Sequence, residues 1–173
     1  MASHAGEGKR VLLMGCGSIG GVIAGGLLRA GHDLTIVTHN EEIGRALDAD
    51  GLRITTPDGR RQVPLGGAAV RARLDQVEGP FDVALLAMKA TGVEQAARDV
   101  APYLAPEGYV VTLQNGVAED RVGRILGRKR VVGALVGWGA TMRAPGVYEM
   151  TSRGELVVGE LDGRMTPRVR KLK

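Results

Sequence analysis

Short apolar runs alternate with amphipathic stretches along most of the chain. In RVLLM at 10–14 the four residues after Arg10 are apolar, which predicts a buried strand, and SIGGVIAGGLLRAG at 18–31 predicts a helix. DLTIVT at 33–38 predicts a second strand, and NEEIGRALDAD at 40–50 predicts a second helix with Asn40 as its N-cap. This strand-helix-strand-helix order is typical of a parallel sheet wound by helices.

The pattern beyond residue 50 is less regular. GLRITT and RQVPL are two short strands around PDGR, whose Pro-Asp-Gly sequence favours a tight turn. The remaining predicted elements are strands at 81–89, 108–116 and 130–138, helices at 91–104 and 117–127, a turn at 144–146, and strands near 147–150 and 155–159. The predicted fold is therefore α/β and Rossmann-like: a doubly wound, mostly parallel sheet with helices on both faces.

Three segments divide the chain. Residues 1–9 form a polar leader that we expect to be disordered, and residues 10–163 form the predicted Rossmann-like domain. Thr166 followed by Pro167 is a helix start, with a capping hydroxyl and then proline at the first helical position. Because a six-residue helix is marginal alone, we interpret 164–173 as the start of a helix that links to a further domain.

Composition supports an aliphatic core. The chain of 173 residues has 27 glycines and only 3% aromatic residues, so Val, Leu, Ile, Ala and Met must fill the interior. The single cysteine, Cys16, excludes an intramolecular disulfide and suits a reducing cytoplasm. No CxxC or histidine spacing surrounds Cys16, so we expect no metal site there.

The net charge of +4 is concentrated at the end of the chain. The last ten residues, RMTPRVRKLK, contain five basic residues and no acid. Without these five, the chain has 18 basic against 19 acidic residues, a net charge of −1. A basic surface is the electrostatic requirement for nucleic-acid binding, so we expect no nucleic-acid partner.

Two membrane interpretations of the first apolar segment fail. Leu-Met-Gly-Cys resembles a lipoprotein cleavage site, but only Val11–Met14 precede Gly15, which is too short for a signal peptide core. Residues 11–28 are uncharged and 18 in number, but six of them are glycine. We therefore expect strand, turn and helix here and no membrane association.

The turn between the first strand and helix spells GxGxxG. Gly15, Gly17 and Gly20 have the spacing that lets a backbone turn tightly, approach a pyrophosphate and pack a helix against a sheet. The helix that begins near Ser18 would direct its backbone N–H groups and dipole at the phosphates. Because the motif follows a strand and opens a helix, it predicts a dinucleotide site formed by Gly15, Cys16, Gly17, Ser18, Ile19 and Gly20.

The end of the second strand bears on the choice of cofactor. An acid there would bind the ribose hydroxyls of NAD, but the strand ends in Thr38-His39-Asn40. The absence of that carboxylate favours NADP, while NAD stays open since no arginine occupies the position either. Arg45 either reaches the phosphate or, by (i, i+4) spacing, pairs with Glu41.

Two polar groups follow central strands. Lys89 closes FDVALLAM, and Asn115 with Gly116 follows YVVTLQ. Each could simply mark where a strand reaches solvent, and Asn-Gly is a common turn dipeptide. Ligands of open α/β sheets, however, bind at the carboxyl ends of the strands, so we expect Lys89 and Asn115 at the same edge as the glycine loop.

These motifs together resemble the ketopantoate (2-dehydropantoate) reductases. The resemblance rests on GCGSIGG, LLAMKA, LQNG, GATMRAPGVYEM and ELVVGELDG, in order, and covers about residues 10–163. It implies an NADPH-dependent oxidoreductase that reduces 2-dehydropantoate to (R)-pantoate, toward pantothenate and coenzyme A. It also implies cofactor contacts at the glycine loop, Lys89, Asn115 and Ala140, with Lys89 and Asn115 near the substrate.

Two departures from the family pattern qualify these implications. His39 stands where the family commonly has an arginine for the 2′-phosphate, although protonated His39 could pair with that phosphate. The family's catalytic lysine belongs to a helical C-terminal domain that we do not find in these residues, so we expect no catalytic residue in this chain and weak or no turnover. Two alternatives to 2-dehydropantoate reduction stay open: a related reductase of another 2-oxo acid, and a dinucleotide-sensing regulatory module.

Overall fold

The computed structural model describes residues 9–172, so all of the predicted disordered leader except Lys9 lies outside the described residues. The strands are β1 (Arg10–Met14), β2 (Asp33–Val37), β3 (Leu52–Thr56), β4 (Gly59–Val63), β5 (Ala69–Arg71), β6 (Phe81–Leu86), β7 (Leu104–Thr112), β8 (Val131–Val136), β9 (Ala140–Ala144), β10 (Val147–Met150) and β11 (Leu156–Glu160). The helices are α1 (Ser18–Arg29), α2 (Glu41–Asp50), α3 (Val93–Val100), α4 (Ala118–Leu126) and α5 (Pro167–Leu172).

A seven-stranded sheet forms the centre of the structure. Its strand order is β11-β8-β7-β6-β1-β2-β5, and all neighbours are parallel except the antiparallel pair β8–β11. The predicted mostly parallel, doubly wound sheet is confirmed.

Both faces of this sheet are buried because apolar side chains occupy both sides of its strands. In β1, Val11 and Leu13 point into one core while Leu12 and Met14 point into the other. The first core includes apolar residues of α1, α2 and α5, and the second is closed by α3 and α4. The continuous apolar runs of the central strands follow from this burial on two sides.

A second sheet, which the sequence analysis did not predict, packs against α1. It has four strands in the order β4-β3-β10-β9. The β3–β4 hairpin was expected, but β3 also pairs in parallel with β10, far along the chain. The first core is thereby extended to Ile54, Val63 and Tyr148, which lie on the inner face of this small sheet.

Several element boundaries differ from the predicted ones. The helix predicted at 91–104 is α-helical only over Val93–Val100, with a single turn of 3₁₀ helix on either side. The strand predicted at 108–116 begins earlier, at Leu104, with an irregularity before Tyr109, and ends at Thr112. β5 and β9 were not predicted, because each is short and lacks a long apolar run.

The local start signals are confirmed. The Asn40 side chain accepts hydrogen bonds from the N–H groups of Glu42 and Ile43, at 2.9 and 3.1 Å, and so caps α2. Thr166 caps α5 by accepting from the N–H of Val169 at 3.4 Å, and Val169 is fully buried in the first core. The expectation that this helix links to a further domain stays a prediction.

The first apolar segment consists of β1, a turn and α1, as expected. Among residues 9–172 no helix is both long and apolar enough to span a bilayer.

Candidate nucleotide-binding site

The strand order places the candidate site between β1 and β6. From β1 the chain proceeds to β2 on one side, and it later adds β6, β7 and β8 on the other. Diverging connections leave a crevice at the carboxyl ends of β1 and β6, which is where open α/β sheets bind ligands. The glycine-rich loop after β1 lies at this point.

Register aligns the carboxyl ends of five neighbouring strands. Met14 of β1 is paired with Val37 of β2 on one side and with Leu86 of β6 on the other. The row continues through Val37 to Arg71 of β5, and through Leu86 to Thr112 of β7. The loops that follow these residues therefore emerge along a single edge of the sheet, here called the carboxyl edge.

Gly15 and Gly20 are required by close backbone contacts. Gly15 has φ +97°, and a Cβ there would lie 3.1 Å from the Ala87 carbonyl carbon, in the loop after β6. A Cβ on Gly20 would lie 2.2 Å from the Gly15 carbonyl oxygen. These two glycines let the loop turn sharply and bring α1 against it, as the fingerprint predicts.

Gly17 differs because its Cβ position is open. It is the N-cap of α1 with φ −74°, and no heavy atom of residues 9–172 lies within 4 Å of a Cβ added there. No side chain caps α1, and its first turn carries no acidic residue. The first intrahelical bond runs from the Gly21 N–H to the Gly17 carbonyl, so the N–H groups of Ser18, Ile19 and Gly20 precede the helical ladder.

This arrangement fits a bound pyrophosphate. Backbone N–H groups without intrahelical acceptors, the positive end of a 12-residue helix, and open space in front of Gly17 together form an anion cradle. Gly15, Cys16, Gly17, Ser18, Ile19 and Gly20 all belong to this loop or to the first turn of α1.

The Cys16 side chain faces away from solvent and is held by Tyr148. Cys16 is 1% exposed, and the Tyr148 hydroxyl donates to its carbonyl oxygen at 2.9 Å. The thiol lies 3.3 Å from the same hydroxyl and donates to it, since the single hydroxyl proton is already used. Burial raises the pKa of Cys16 to about 11 and raises that of Tyr148 as well. Contact between Cys16 and a ligand is therefore limited to its backbone.

Lys89 and Asn115 lie on adjacent loops of the carboxyl edge, and both are exposed. Lys89 was predicted to be the last residue of the strand, but β6 ends three residues earlier, at Leu86. The Lys89 carbonyl oxygen accepts a hydrogen bond from the Gly92 N–H at 3.1 Å. Gln114 joins the two loops, because its side-chain amide donates to the carbonyl oxygens of Leu86 and Met88, both at 2.9 Å. Lys89 and Asn115 are thus each one residue away from the same buried cross-link.

His39 and Arg71 lie at the other end of the carboxyl edge. His39 is exposed and follows Thr38, whose N–H donates to the Arg71 carbonyl oxygen at 2.9 Å. The Glu41–Arg45 pair suggested by spacing is absent from the ion pairs within residues 9–172. The Arg45 Nε donates instead to the Glu41 carbonyl oxygen at 3.4 Å.

Ala140 lies apart from the carboxyl edge. It is the first residue of β9 in the small sheet, where it pairs with Met150. Both β9 and β10 pack against α1, so the small sheet approaches the glycine loop through that helix. Whether Ala140 contacts a cofactor stays a prediction.

The sequence analysis missed three residues of this region: Tyr148, Gln114 and Arg71. For Tyr148 the sequence contains one indirect signal: Gly21 and Gly25 lie on one face of α1, and such small residues indicate that another element packs closely there. A Cβ on Gly21 would lie 2.2 Å from the Tyr148 ring, and one on Gly25 would lie 2.1 Å from Ile54. Gln114 and Arg71 carried no local signal, because their roles depend on strands that are distant in sequence.

Comparison with known proteins agrees with this geometry. Residues 11–163 match the family model described as ketopantoate reductase PanE/ApbA. A 2-dehydropantoate 2-reductase of Mesorhizobium japonicum is 31% identical over 182 residues, covering 92% of this chain and 54% of that relative. The chain spans about half the length of the curated relatives it matches.

Solved structures share the fold. The PanE/ApbA family ketopantoate reductase of Ralstonia eutropha JMP134 is 32% identical with a TM-score of 0.77, covering 94% of this chain and 51% of that one. The ternary structure of D-mandelate dehydrogenase with NADH and anilino(oxo)acetate is 18% identical with a TM-score of 0.74, which shows the fold alone. It covers 94% of this chain and 51% of that one. With the family model matched across nearly all of the described residues, this chain belongs to the ketopantoate reductase family.

Proposed function

We propose that this chain forms the cofactor-binding part of an oxidoreductase that uses NADPH to reduce 2-dehydropantoate to (R)-pantoate, a step toward pantothenate and coenzyme A. Family membership implies a nicotinamide dinucleotide cofactor. The observation that carries the proposal is the uncapped N-terminus of α1, which opens onto the space in front of Gly17. NADPH, when bound, would supply the hydride that reduces the ketone carbon.

The glycine loop and α1 would hold the pyrophosphate. The N–H groups of Ser18, Ile19 and Gly20 are hydrogen-bond donors without intrahelical acceptors, and the helix dipole adds favourable electrostatics. Tyr148 holds the Cys16 carbonyl oxygen and so fixes the loop in its turned conformation. The binding geometry is therefore formed before the ligand arrives, which lowers the entropy cost of binding.

Lys89 and Asn115 would act at the nicotinamide and substrate end. A 2-oxo acid carries a carboxylate, and its ketone oxygen gains negative charge as hydride adds to the carbon. The Lys89 ammonium is suited to stabilise such charge, and the Asn115 amide can orient the substrate or the nicotinamide. Gln114 holds both loops at the carboxyl edge, so it would act as a positioning residue for this pair.

The preference for NADPH rests on the absence of a carboxylate directly after β2. His39 occupies that position and is exposed, so no carboxylate at that position repels a 2′-phosphate. The fold by itself does not exclude NADH, because D-mandelate dehydrogenase, whose structure contains NADH, has the same architecture. The preference for NADPH over NADH must therefore come from the residues near the ribose.

Direct titration of the purified chain with NADPH and NADH, followed by cofactor fluorescence, tests the dinucleotide site. Gly17→Asp is the sharpest variant: its φ of −74° suits any residue, and its Cβ meets nothing within 4 Å. An aspartate there is a good N-cap, so the fold should be kept or stabilised, while its carboxylate occupies the cradle and repels phosphate.

We expect Gly17→Asp to abolish binding of both cofactors without lowering the melting temperature. Gly17→Ser is the matched control, since it adds a similar cap without the charge, and should bind more tightly than the aspartate variant. Binding that is unchanged in Gly17→Asp would contradict the proposed site.

The substrate is tested with a longer polypeptide, in which this chain is followed by a segment that corresponds to the second half of the relatives. That polypeptide should oxidise NADPH when 2-dehydropantoate is added, and Asn115→Ala should slow the oxidation. Rejection of 2-dehydropantoate with acceptance of another 2-oxo acid would favour a related reductase. Cofactor binding with no reduction of any 2-oxo acid would favour a sensing module.

A further inference from the structure

We propose that Arg71, assisted by Arg45, forms the subsite for the 2′-phosphate of NADPH. His39, and not an arginine, follows Thr38 after β2, and Arg71 would supply a guanidinium from a different strand. This inference rests on the proposed function, namely that the glycine loop holds a nicotinamide dinucleotide.

Strand register places Arg71 beside the expected ribose position. A dinucleotide whose pyrophosphate lies on the loop after the first strand has its adenosine ribose at the end of the second strand. That strand is β2, and its last residue, Val37, is paired with Arg71 of β5. The next residue, Thr38, donates its N–H to the Arg71 carbonyl oxygen at 2.9 Å. Arg71 is therefore one strand spacing, about 4.8 Å, from the end of β2.

A hollow of about 290 Å³ lies at this place, and both arginines line it. Thr38 lies at its β2 side, Arg71 at its β5 side and Arg45 on α2. The space is small for a whole nucleotide, since ligand pockets typically measure about 300–1,000 Å³, but it suits a phosphate group at the edge of a larger site.

The Arg71 guanidinium is available for a ligand. It donates to the neighbouring Val70 carbonyl oxygen at 2.9 Å, and within residues 9–172 it forms no ion pair. Arg73, two residues later, is by contrast paired with Asp75. Because arginine matches phosphate oxygens with two parallel N–H groups, an exposed guanidinium that is not paired with a carboxylate of the described residues is the group such a subsite needs.

Two carboxylates, Glu41 and Asp48, also line the hollow. Both belong to α2 and not to the end of β2, and Glu41 lies in the first turn, where the helix dipole stabilises it. If these carboxylates faced the ribose, they would accept hydrogen bonds from its 2′- and 3′-hydroxyls, and NADH would bind more tightly than NADPH. The two arrangements thus predict opposite cofactor preferences.

Isothermal titration with adenosine 2′,5′-bisphosphate and with AMP separates the phosphate contact from the rest of the site, because the two probes differ only in the 2′-phosphate. We expect the wild-type chain to bind the bisphosphate more tightly. Arg71→Ala should weaken bisphosphate binding by roughly tenfold or more, as expected for loss of a charged hydrogen bond. AMP binding should change by less than about twofold, since the variant leaves the glycine loop intact.

Two further variants sharpen the test. Arg71→Glu adds a negative charge at the same place and should make AMP the tighter ligand. Arg29→Ala removes an exposed arginine at the other end of α1 and serves as the matched control, with both affinities unchanged.

Three outcomes would overturn the subsite. The first is that Arg71→Ala weakens the affinity for the bisphosphate and the affinity for AMP equally. The second is that His39→Ala, and not Arg71→Ala, weakens the affinity for the bisphosphate alone, and the third is that the wild-type chain binds NADH at least as tightly as NADPH. The third outcome would keep the dinucleotide site. Failure of the wild-type chain to bind either dinucleotide would instead contradict the proposed function itself.

Discussion

Tyr148 connects two parts of the molecule through a single hydroxyl group. Its ring packs over Gly21, and its hydroxyl donates to the Cys16 carbonyl oxygen and accepts from the Cys16 thiol. Gln114 has a similar function on the other side of the glycine loop, where its amide satisfies two backbone carbonyls. At the residue scale, the site is held by buried side chains that do not themselves face a ligand.

Gln114→Leu tests the cross-link between the Lys89 and Asn115 loops. The substitution keeps a similar volume but removes the Gln114 donor to the Met88 carbonyl and leaves the Leu86 carbonyl with the Leu113 N–H at 3.2 Å, so it should destabilise the fold by about 1–3 kcal/mol. Urea denaturation measures this loss. Gln95→Leu is the control: Gln95 is exposed and its side-chain amide donates to the exposed Asp99, so its loss should cost less than about 0.5 kcal/mol. Equal costs for the two variants would argue against the cross-link.

The Cys16 thiol provides a test that depends on pH. Its pKa is raised from 9.0 to about 11 by burial, so at pH 8 the native chain should contain roughly 100-fold less thiolate than the unfolded chain. Because the thiolate is the reactive form, a thiol reagent should modify Cys16 at least that much more slowly in the native state than in urea. The native rate should keep rising with pH beyond 9, where the unfolded rate levels off. Rapid native modification at pH 8 would show that the Tyr148 contact is not maintained.

At the scale of elements, α1 is a glycine-rich helix between two sheets. Its buried positions are Gly20, Gly21, Ala24 and Gly25, so the face that would normally carry large side chains carries almost none. Tyr148 and Ile54 of the small sheet fill that space. These glycines lower the intrinsic stability of the helix, since each destabilises it by about 0.5–1 kcal/mol relative to alanine. The close packing of the small sheet on α1 compensates for this loss.

A matched pair of glycine substitutions separates packing from propensity. Gly21→Ala places a Cβ 2.2 Å from the buried Tyr148 ring and should destabilise the chain by about 1–3 kcal/mol. The added Cβ of Gly26→Ala has no neighbour within 4 Å among the described residues outside its own helix, so this variant should stabilise the chain by about 0.5–1 kcal/mol. Thermal unfolding of both variants measures the difference, and a stabilised Gly21→Ala would contradict the packing of β10 on α1.

At the scale of the whole molecule, strand order determines where a ligand can bind. The direction of strand addition reverses between β1 and β6, so the crevice, the glycine loop and the Lys89 loop coincide. The arrangement of the basic residues near the end of the chain is also seen only in the folded molecule. Arg164 and Arg168 of the basic terminal segment are paired with Asp162 and Glu160, so two of its five basic side chains are neutralised locally while the net charge of the chain stays +4.

Cofactor binding should stabilise the whole molecule. A ligand that binds only the folded state adds about 2.7 kcal/mol at 100 times its dissociation constant, which corresponds to a rise in melting temperature of roughly 5–10 °C for a domain of this size. Differential scanning fluorimetry with NADPH measures the shift. Gly17→Asp should show none, and a full shift in that variant would place the binding site elsewhere.

Most of the elements and the glycine loop could be predicted from the sequence, because they depend on local causes. Apolar periodicity marks β1, β6 and α1, and the caps at Asn40 and Thr166 are formed by hydrogen bonds within three residues. The small sheet could not be predicted, since its parallel β3–β10 pair joins Ile54 to Tyr148, and no local pattern encodes such a pairing.

The sequence by itself therefore determined the class of fold, the position of the glycine-rich loop and the family, because residue type and spacing are sufficient for each. Only the tertiary structure decided which side chains support that loop and which charged groups lie beside the end of β2. Tyr148, Gln114 and Arg71 reach their positions through strand register and helix packing, which bring together residues separated by many turns of chain.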